Sequence, residues 1–102
     1  MSELCSLSFD SKANLFHVAG ELTFATVNTL LEQAPTLFDN HHKLNIDLAA
    51  VTRSDSAGLA LLIDWMRLAK TNSKEIMFYN IPVQITAIAN ASGVDELLPT
   101  QQ

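Results

Sequence analysis

The stretch "VTRSDSAGLALLIDW", Val51 to Trp65, constrains the fold more than any other. Before it, "LNIDL" alternates Leu44, Ile46 and Leu48, the period of a strand with one buried face. After it, an apolar pattern with helical spacing continues to about Thr71. Asp55-Ser56-Ala57-Gly58 lies between the two. A strand feeding a helix through so short a link places that helix against the sheet. On a helical wheel the apolar arc runs from Leu68 round to Ile63 through Leu61, Leu62, Trp65 and Ala69. It covers roughly 220°, where about 100° serves one buried face. Two readings follow. Either the helix is wedged between two other elements, or one shoulder meets a partner protein. The second expects at least one of Leu61, Trp65 and Leu68 to stay substantially exposed.

The remaining elements follow from similar periodicities. "LCSLSF" and Leu15 to Ala19 read as strands joined by the turn "DSKAN", an antiparallel edge hairpin. Gly20-Glu21-Leu22 leaves the second strand, and Thr23 can cap the helix that follows. Val27, Leu30, Leu31 and Ala34 give that helix one apolar face, and Pro35 is expected to kink or end it. "DNHHK" is a polar loop and "EIMFYNI" a short strand. Pro82 opens a third helix carrying Val83, Ile85, Ala87, Ile88 and Ala91, and Gly93 closes it. The order β-β-α-β-α-β-α predicts an α/β domain. Its sheet is mixed and four-stranded, with an antiparallel edge hairpin, packed by three to four helices. Residues 1–102 are expected to form a single domain.

Composition removes several function classes. The net charge of −5 repels phosphate backbones, which argues against nucleic acid. The charge is uneven. Arg53, Arg67, Lys70 and Lys74 against Asp55 and Asp64 make residues 53–74 a +2 island, leaving −7 elsewhere. A lone cysteine, Cys5, forms no internal disulfide. The start "MSELC" has no basic region or apolar core of a signal peptide, and no apolar run approaches membrane-span length. A soluble cytoplasmic protein is expected. With 3 Gly and no phosphate loop, a nucleotide fold is poorly supported. His41-His42 share a loop without a third ligand at suitable spacing, so no metal is expected. His17 reads as a half-buried strand residue. Asp47 and Asp55 could meet at a strand end, but two carboxylates alone make no enzyme, and no nucleophile–His–acid set is evident. No catalytic residue and no cofactor is expected.

Asp55 and Ser56 both suit an N-cap, and Gly58 permits tight entry. The same helix start, with free N–H groups and the positive dipole end, would stabilise a phosphate on Ser56. Such a phosphate brings close to two negative charges. The basic island would hold it, while a partner could be repelled by it. Ser56 is a cap, a switch, or both.

"HVAGELT", followed by a helix and then by "NIDLAAVTRSDSAGLALL", resembles the STAS domain family of sulfate transporters and anti-sigma factor antagonists. The likeness rests on Gly20-Glu21-Leu22, on the strand "NIDL" and on Asp55-Ser56-x-Gly58-Leu59, from Val18 to about Lys70. The element order extends it over most of the chain. Two branches are implied. In anti-sigma factor antagonists, the serine at the position of Ser56 is phosphorylated by a partner serine kinase, and the phosphate blocks binding. The MlaB branch supplies the small cytoplasmic STAS subunit of bacterial phospholipid-transport ABC systems, which binds the ATPase subunit and supports its activity. Arg53, Ala60-Leu61-Leu62, Leu68-Ala69-Lys70 and the "LLP" near the end are more similar to the MlaB branch. The resemblance implies a protein-interaction module without chemistry of its own. Its expected partner-binding residues are Arg53, Asp55, Ser56, Leu61, Trp65 and Leu68. Its expected location is cytoplasmic, reaching the inner face of the inner membrane only through a transporter complex.

Overall fold

The computed structural model describes residues 4–101. Strands β1 (Cys5–Asp10) and β2 (Leu15–Leu22) form the antiparallel hairpin, and helix α1 (Val27–Phe38) follows. Then come β3 (Lys43–Ser54), α2 (Ser56–Thr71), β4 (Glu75–Tyr79) and α3 (Val83–Ala91). A 3-10 turn, Asp95–Leu97, leads to a two-residue β5, Thr100–Gln101. The sheet order is β1-β2-β3-β4-β5, with β2, β3, β4 and β5 mutually parallel. The mixed four-stranded sheet with three helices is therefore present, extended by a short fifth strand.

Strand alternation decides which face is covered. Leu7, Phe16, Val18, Leu44, Ile46, Leu48 and Phe78 point one way and are buried. Ser6, Ser8, His17, Asn45, Asp47, Met77 and Tyr79 point the other way, and none of them is buried. The helices thus cover one face. Between them and the sheet, Phe16, Phe38 and Trp65 stack edge to face, with ring centroids 4.9 and 5.4 Å apart.

Several boundaries differ from the sequence expectation. Gly20-Glu21-Leu22 does not leave β2 but completes it. Gly20 sits at φ +91° because β1 runs so close that a Cβ there would collide with the Leu4 carbonyl oxygen. β2 pairs with β3 through two register shifts, between His17 and Ala19 and between Gly20 and Glu21. Those shifts let the strand carry on to Leu22, which is fully buried. Thr23 does not cap α1, which begins later with Thr26 as its N-cap residue and no side-chain cap bond.

Pro35 does not end α1; the helix runs through it to Phe38. Proline inside a helix costs about 3 kcal/mol. Pro35 lies on the exposed side, near the end, and Phe38 at 1% exposure gains a full aromatic burial that offsets much of this cost. β3 also outruns its expected end, since Val51 to Ser54 of the opening motif are strand. In α3, Ile85 and Ala89 are the buried residues, and Val83 is 81% exposed.

Asp47 and Asp55 do not meet. Asp47 is mid-strand on the open face, where its carboxylate accepts from the Ala49 amide and from Asn80 Nδ2 and lies 3.7 Å from His17 Nδ1. Asp55 is eight residues on, about 26 Å along an extended strand. His17 is half-buried, as its alternation implies. His41 packs on the rings of Phe9 and Phe16, at 4.4 and 5.0 Å. Among the described residues, no group of three or more His, Cys, Asp or Glu is placed to hold a metal ion. No helix among them is long and apolar enough to cross a membrane.

Candidate functional site

β3 and β2 end side by side, Ser54 opposite Leu22, and the Asp55 amide donates to the Leu22 carbonyl at 3.1 Å. This bond turns the chain from strand into α2. Asp55, extended at φ −115° and ψ −164°, is the N-cap, and its Oδ1 accepts from the Ala57 amide at 2.8 Å. Its Oδ2 accepts from the Phe24 amide in the loop after β2, at 3.4 Å. One carboxylate thus ties the start of α2 to the segment before α1.

Ser56 is the first residue of α2, as expected, and its side chain is exposed. It does not cap the helix, because Asp55 has taken that bond. Among the described residues, the Ser56 hydroxyl has no hydrogen-bond partner.

Gly58 has a steric reason. A Cβ there would collide with Ser54 Oγ and would press on Leu22 Cβ at 3.2 Å and Ile85 Cδ1 at 3.3 Å. Ser54 Oγ is held in place by donating to the Asp55 carbonyl at 3.1 Å. The first turn of α2 thus lies directly on β2, β3 and α3 only because position 58 lacks a side chain.

A groove of about 620 Å³ runs beside this turn, between α1 and α2. Phe24, from the turn before α1, and Val27, Asn28 and Leu31 of α1 line one wall. Ser56, Ala57, Ala60, Leu61, Ile63, Asp64 and Arg67 line the other wall. Asn28, Ser56, Asp64 and Arg67 supply its polar lining.

The proposed site residues separate into two groups. Arg53 and Ser56 are exposed and Asp55 half-buried, all within the strand-to-helix link. Leu61 and Trp65 are each only 1% exposed, so neither is the substantially exposed residue expected among Leu61, Trp65 and Leu68. Trp65 packs on Phe38 in the core, and Leu61, though buried, borders the groove. Leu68 is partly buried against the core. The wedge reading holds for most of the wide arc, because α1, α3 and the sheet surround α2.

The basic island is not one patch either. Arg67 lies 11 residues past Ser56 and Lys70 14 residues past, about 16 and 21 Å along the helix. Lys74 Nζ donates to the carbonyls of Asp39 and His41, at 3.0 and 2.7 Å. Only Arg53 remains close to Ser56 in the chain, so four cations do not gather round that hydroxyl. Sequence reasoning missed Phe24, which lines the groove and is 82% exposed. An apolar residue just before a helix reads as core, and no periodicity shows that it points outward.

Comparisons with known proteins agree with this layout. The family model described as "Mlab, STAS domain" matches residues 5–99. An anti-sigma-B factor antagonist of Staphylococcus epidermidis is 28% identical over 82 residues, covering 79% of this chain and 76% of the relative. The same protein from two named strains of that species matches equally. Among solved structures, the anti-sigma factor antagonist SpoIIAA in its unphosphorylated form matches with a TM-score of 0.70. Its identity is 15%, over 96% of this chain and 88% of that one, a likeness of fold alone. The family match runs from the first residue of β1 to the residue before β5, and the chain belongs to the STAS domain family, in the group described as Mlab.

Proposed function

We propose that this chain is a non-enzymatic interaction subunit that binds and supports the ATPase of a phospholipid-transport ABC system. Its place would be the cytoplasm, at the inner face of the inner membrane through the complex, and its role the maintenance of outer-membrane lipid asymmetry. The observation that carries the interaction role is Ser56, whose exposed hydroxyl has no partner among the described residues and lies beside an apolar groove. Arg53, Ala60-Leu61-Leu62 and Leu68-Ala69-Lys70 support the transporter branch, as does the description of the matching family. In this reading the partner meets Arg53, Ser56 and the groove mouth, while Asp55 holds the geometry and Trp65 and Leu61 support it from within.

A second reading has its own support in the Staphylococcus epidermidis relatives, which are anti-sigma-B factor antagonists. In it, the partner is an anti-sigma factor serine kinase and Ser56 is the phosphorylated residue. Affinity purification from the native cell, with the bound protein identified by mass spectrometry, separates the two. An ABC ATPase supports the first and a serine kinase the second. Calorimetric titration of Ser56 variants against the purified partner then tests the site. Ser56→Asp should weaken binding in both readings, since a desolvated charge at an interface is costly. Ser56→Ala should lose binding in the transporter reading, while an antagonist should keep binding and lose regulation. Unchanged affinity for both variants would remove Ser56 from the interface.

A further inference from the structure

The sheet ends differently on its two sides. At one end β5 has two residues and pairs only with Phe78 and Tyr79 of β4, a strand of five residues that starts on Glu75. At the other end β1 runs for six residues, with no proline and no charge before Asp10. It pairs with β2 one to one, from Cys5 opposite Gly20 to Asp10 opposite Leu15, without a bulge. Short strands, charges, prolines and bulges are the usual means of keeping an edge from pairing with another chain. Over residues 5–9, β1 has none of them.

The ladder fixes which groups face outward. The Glu21 amide donates to the Leu4 carbonyl at 2.8 Å, which makes Leu4 and Glu21 a hydrogen-bonded pair. Such pairs alternate along an antiparallel ladder. Ser6, Ser8 and Asp10 therefore turn their N–H and C=O groups to β2, while Leu7 and Phe9 turn theirs to the outer edge. The Leu7 side chain lies on the helix-covered face, 8% exposed, and Ser6 and Ser8 lie on the open face.

This edge is complementary to itself. Ser6 and Ser8 flank Leu7, with the apolar Cys5 and Phe9 beyond them. A second β1 laid antiparallel, Leu7 opposite Leu7, sets Ser6 opposite Ser8 twice and Cys5 opposite Phe9 twice. Apolar side chains then meet on the covered face and hydroxyls on the open face. A slip of one residue would put one copy's side chains on the wrong face. Asp10 falls opposite Leu4, so no two charges of β1 meet. α1, which packs over β1, carries one charge, Glu32, among its twelve residues.

We infer that two copies of this chain pair antiparallel through β1, about a twofold axis at Leu7, and join their sheets into one. Leu7 of each copy donates its N–H to the Leu7 carbonyl of the other. Ser6 of one copy and Ser8 of the other form a non-hydrogen-bonded pair, where side chains come closest and their hydroxyls can bond. The pairing does not depend on what meets Ser56.

Sedimentation equilibrium of the full chain over a concentration series tests this, and a reversible monomer–dimer equilibrium is expected. Ser6→Lys combined with Ser8→Lys sets lysine opposite lysine at both pairs, and its dimer Kd should rise about 10-fold or more. The melting temperature of the monomer should not change, because neither side chain is in the core. Mixing this chain with one carrying Ser6→Glu and Ser8→Glu should restore association that neither shows alone. Oxidised glutathione reads the register directly. A mixture of Ser6→Cys and Ser8→Cys chains should form an intermolecular disulfide, since Cα atoms at such a pair lie about 4.5 Å apart. Either variant alone should not, because its new cysteines lie two residues apart along the paired strands. A wild type that stays monomeric throughout the series refutes the inference and leaves the edge to another chain. A dimer that the two lysines leave unchanged belongs to another surface and refutes it equally. Cross-linking of either cysteine variant alone as readily as the mixture overturns the register at Leu7.

Discussion

Along α2, Leu61, Leu62, Trp65 and Ala69 are each at most 1% exposed. On the same helix Ser56 and Ala60 are exposed, and they line the groove with Phe24. Both sets belong to one helix of 16 residues with one apolar pattern. The difference lies in what surrounds them. The inward set, which includes Ala57, Gly58 and Leu59 of the first turn, is enclosed by the sheet, Phe38 of α1 and α3, whereas Ser56 and Ala60 face the groove. A wide apolar arc therefore marks a helix enclosed on several sides, and its width does not by itself mark an interaction surface.

The contrast breaks first at Trp65. Trp65→Ala should cost about 3–5 kcal/mol, as for other large aromatics removed from a core. A urea denaturation curve checks it, and a loss under about 1 kcal/mol would return Trp65 to the surface. Trp65→Phe should cost far less. Among the described residues Trp65 Nε1 has no hydrogen-bond partner, so no acceptor is left unpaired.

Gly58→Ala comes next, at about 1–3 kcal/mol, the usual cost of overpacking. The new methyl meets Ser54 Oγ, Leu22 and Ile85. Ser54→Ala in the same chain should recover part of the loss. A double-mutant cycle with no coupling would mean that the close approach is not what requires glycine.

Asp55→Ala should cost about 1 kcal/mol through the lost cap. Asp55→Asn should cost less, because its side-chain oxygen still accepts from Ala57. Thermal melts of the two variants separate capping from charge. If both are silent, the tie between the Phe24 loop and α2 is dispensable.

The smallest effect on stability belongs to the residues of the groove that face solvent. Ser56→Ala and Phe24→Ala should each stay within about 0.5 kcal/mol of the wild type, as exposed positions do. A larger loss for either would mean that the exposed set also serves the fold, and the comparison would fail there.

Much of the architecture was legible in local pattern. Leu44, Ile46 and Leu48 alternate, and all three face the core. Asp55-Ser56 placed the start of α2 at or next to Ser56, because an N-cap is a contact between near neighbours in sequence. The boundary at Pro35 was not legible, since the reason to continue the helix is Phe38 meeting Phe16 and Trp65, distant in sequence. The length of β2 was hidden for a similar reason, being set by its bulged pairing with β3.

The sequence by itself determined the order of the first seven elements, the inward set Leu44, Ile46 and Leu48 of β3, and a helix opening at Asp55-Ser56. Each depends on a few consecutive residues and on the fixed periods of strand and helix. Only the tertiary structure decided which of Asp55 and Ser56 would cap, that Trp65 would be core, and that Phe24 would stand in water. Those outcomes depend on what lies beside each residue in space. A wheel or an alternation can show that a side chain is apolar, but whether a neighbouring element covers it is settled by packing.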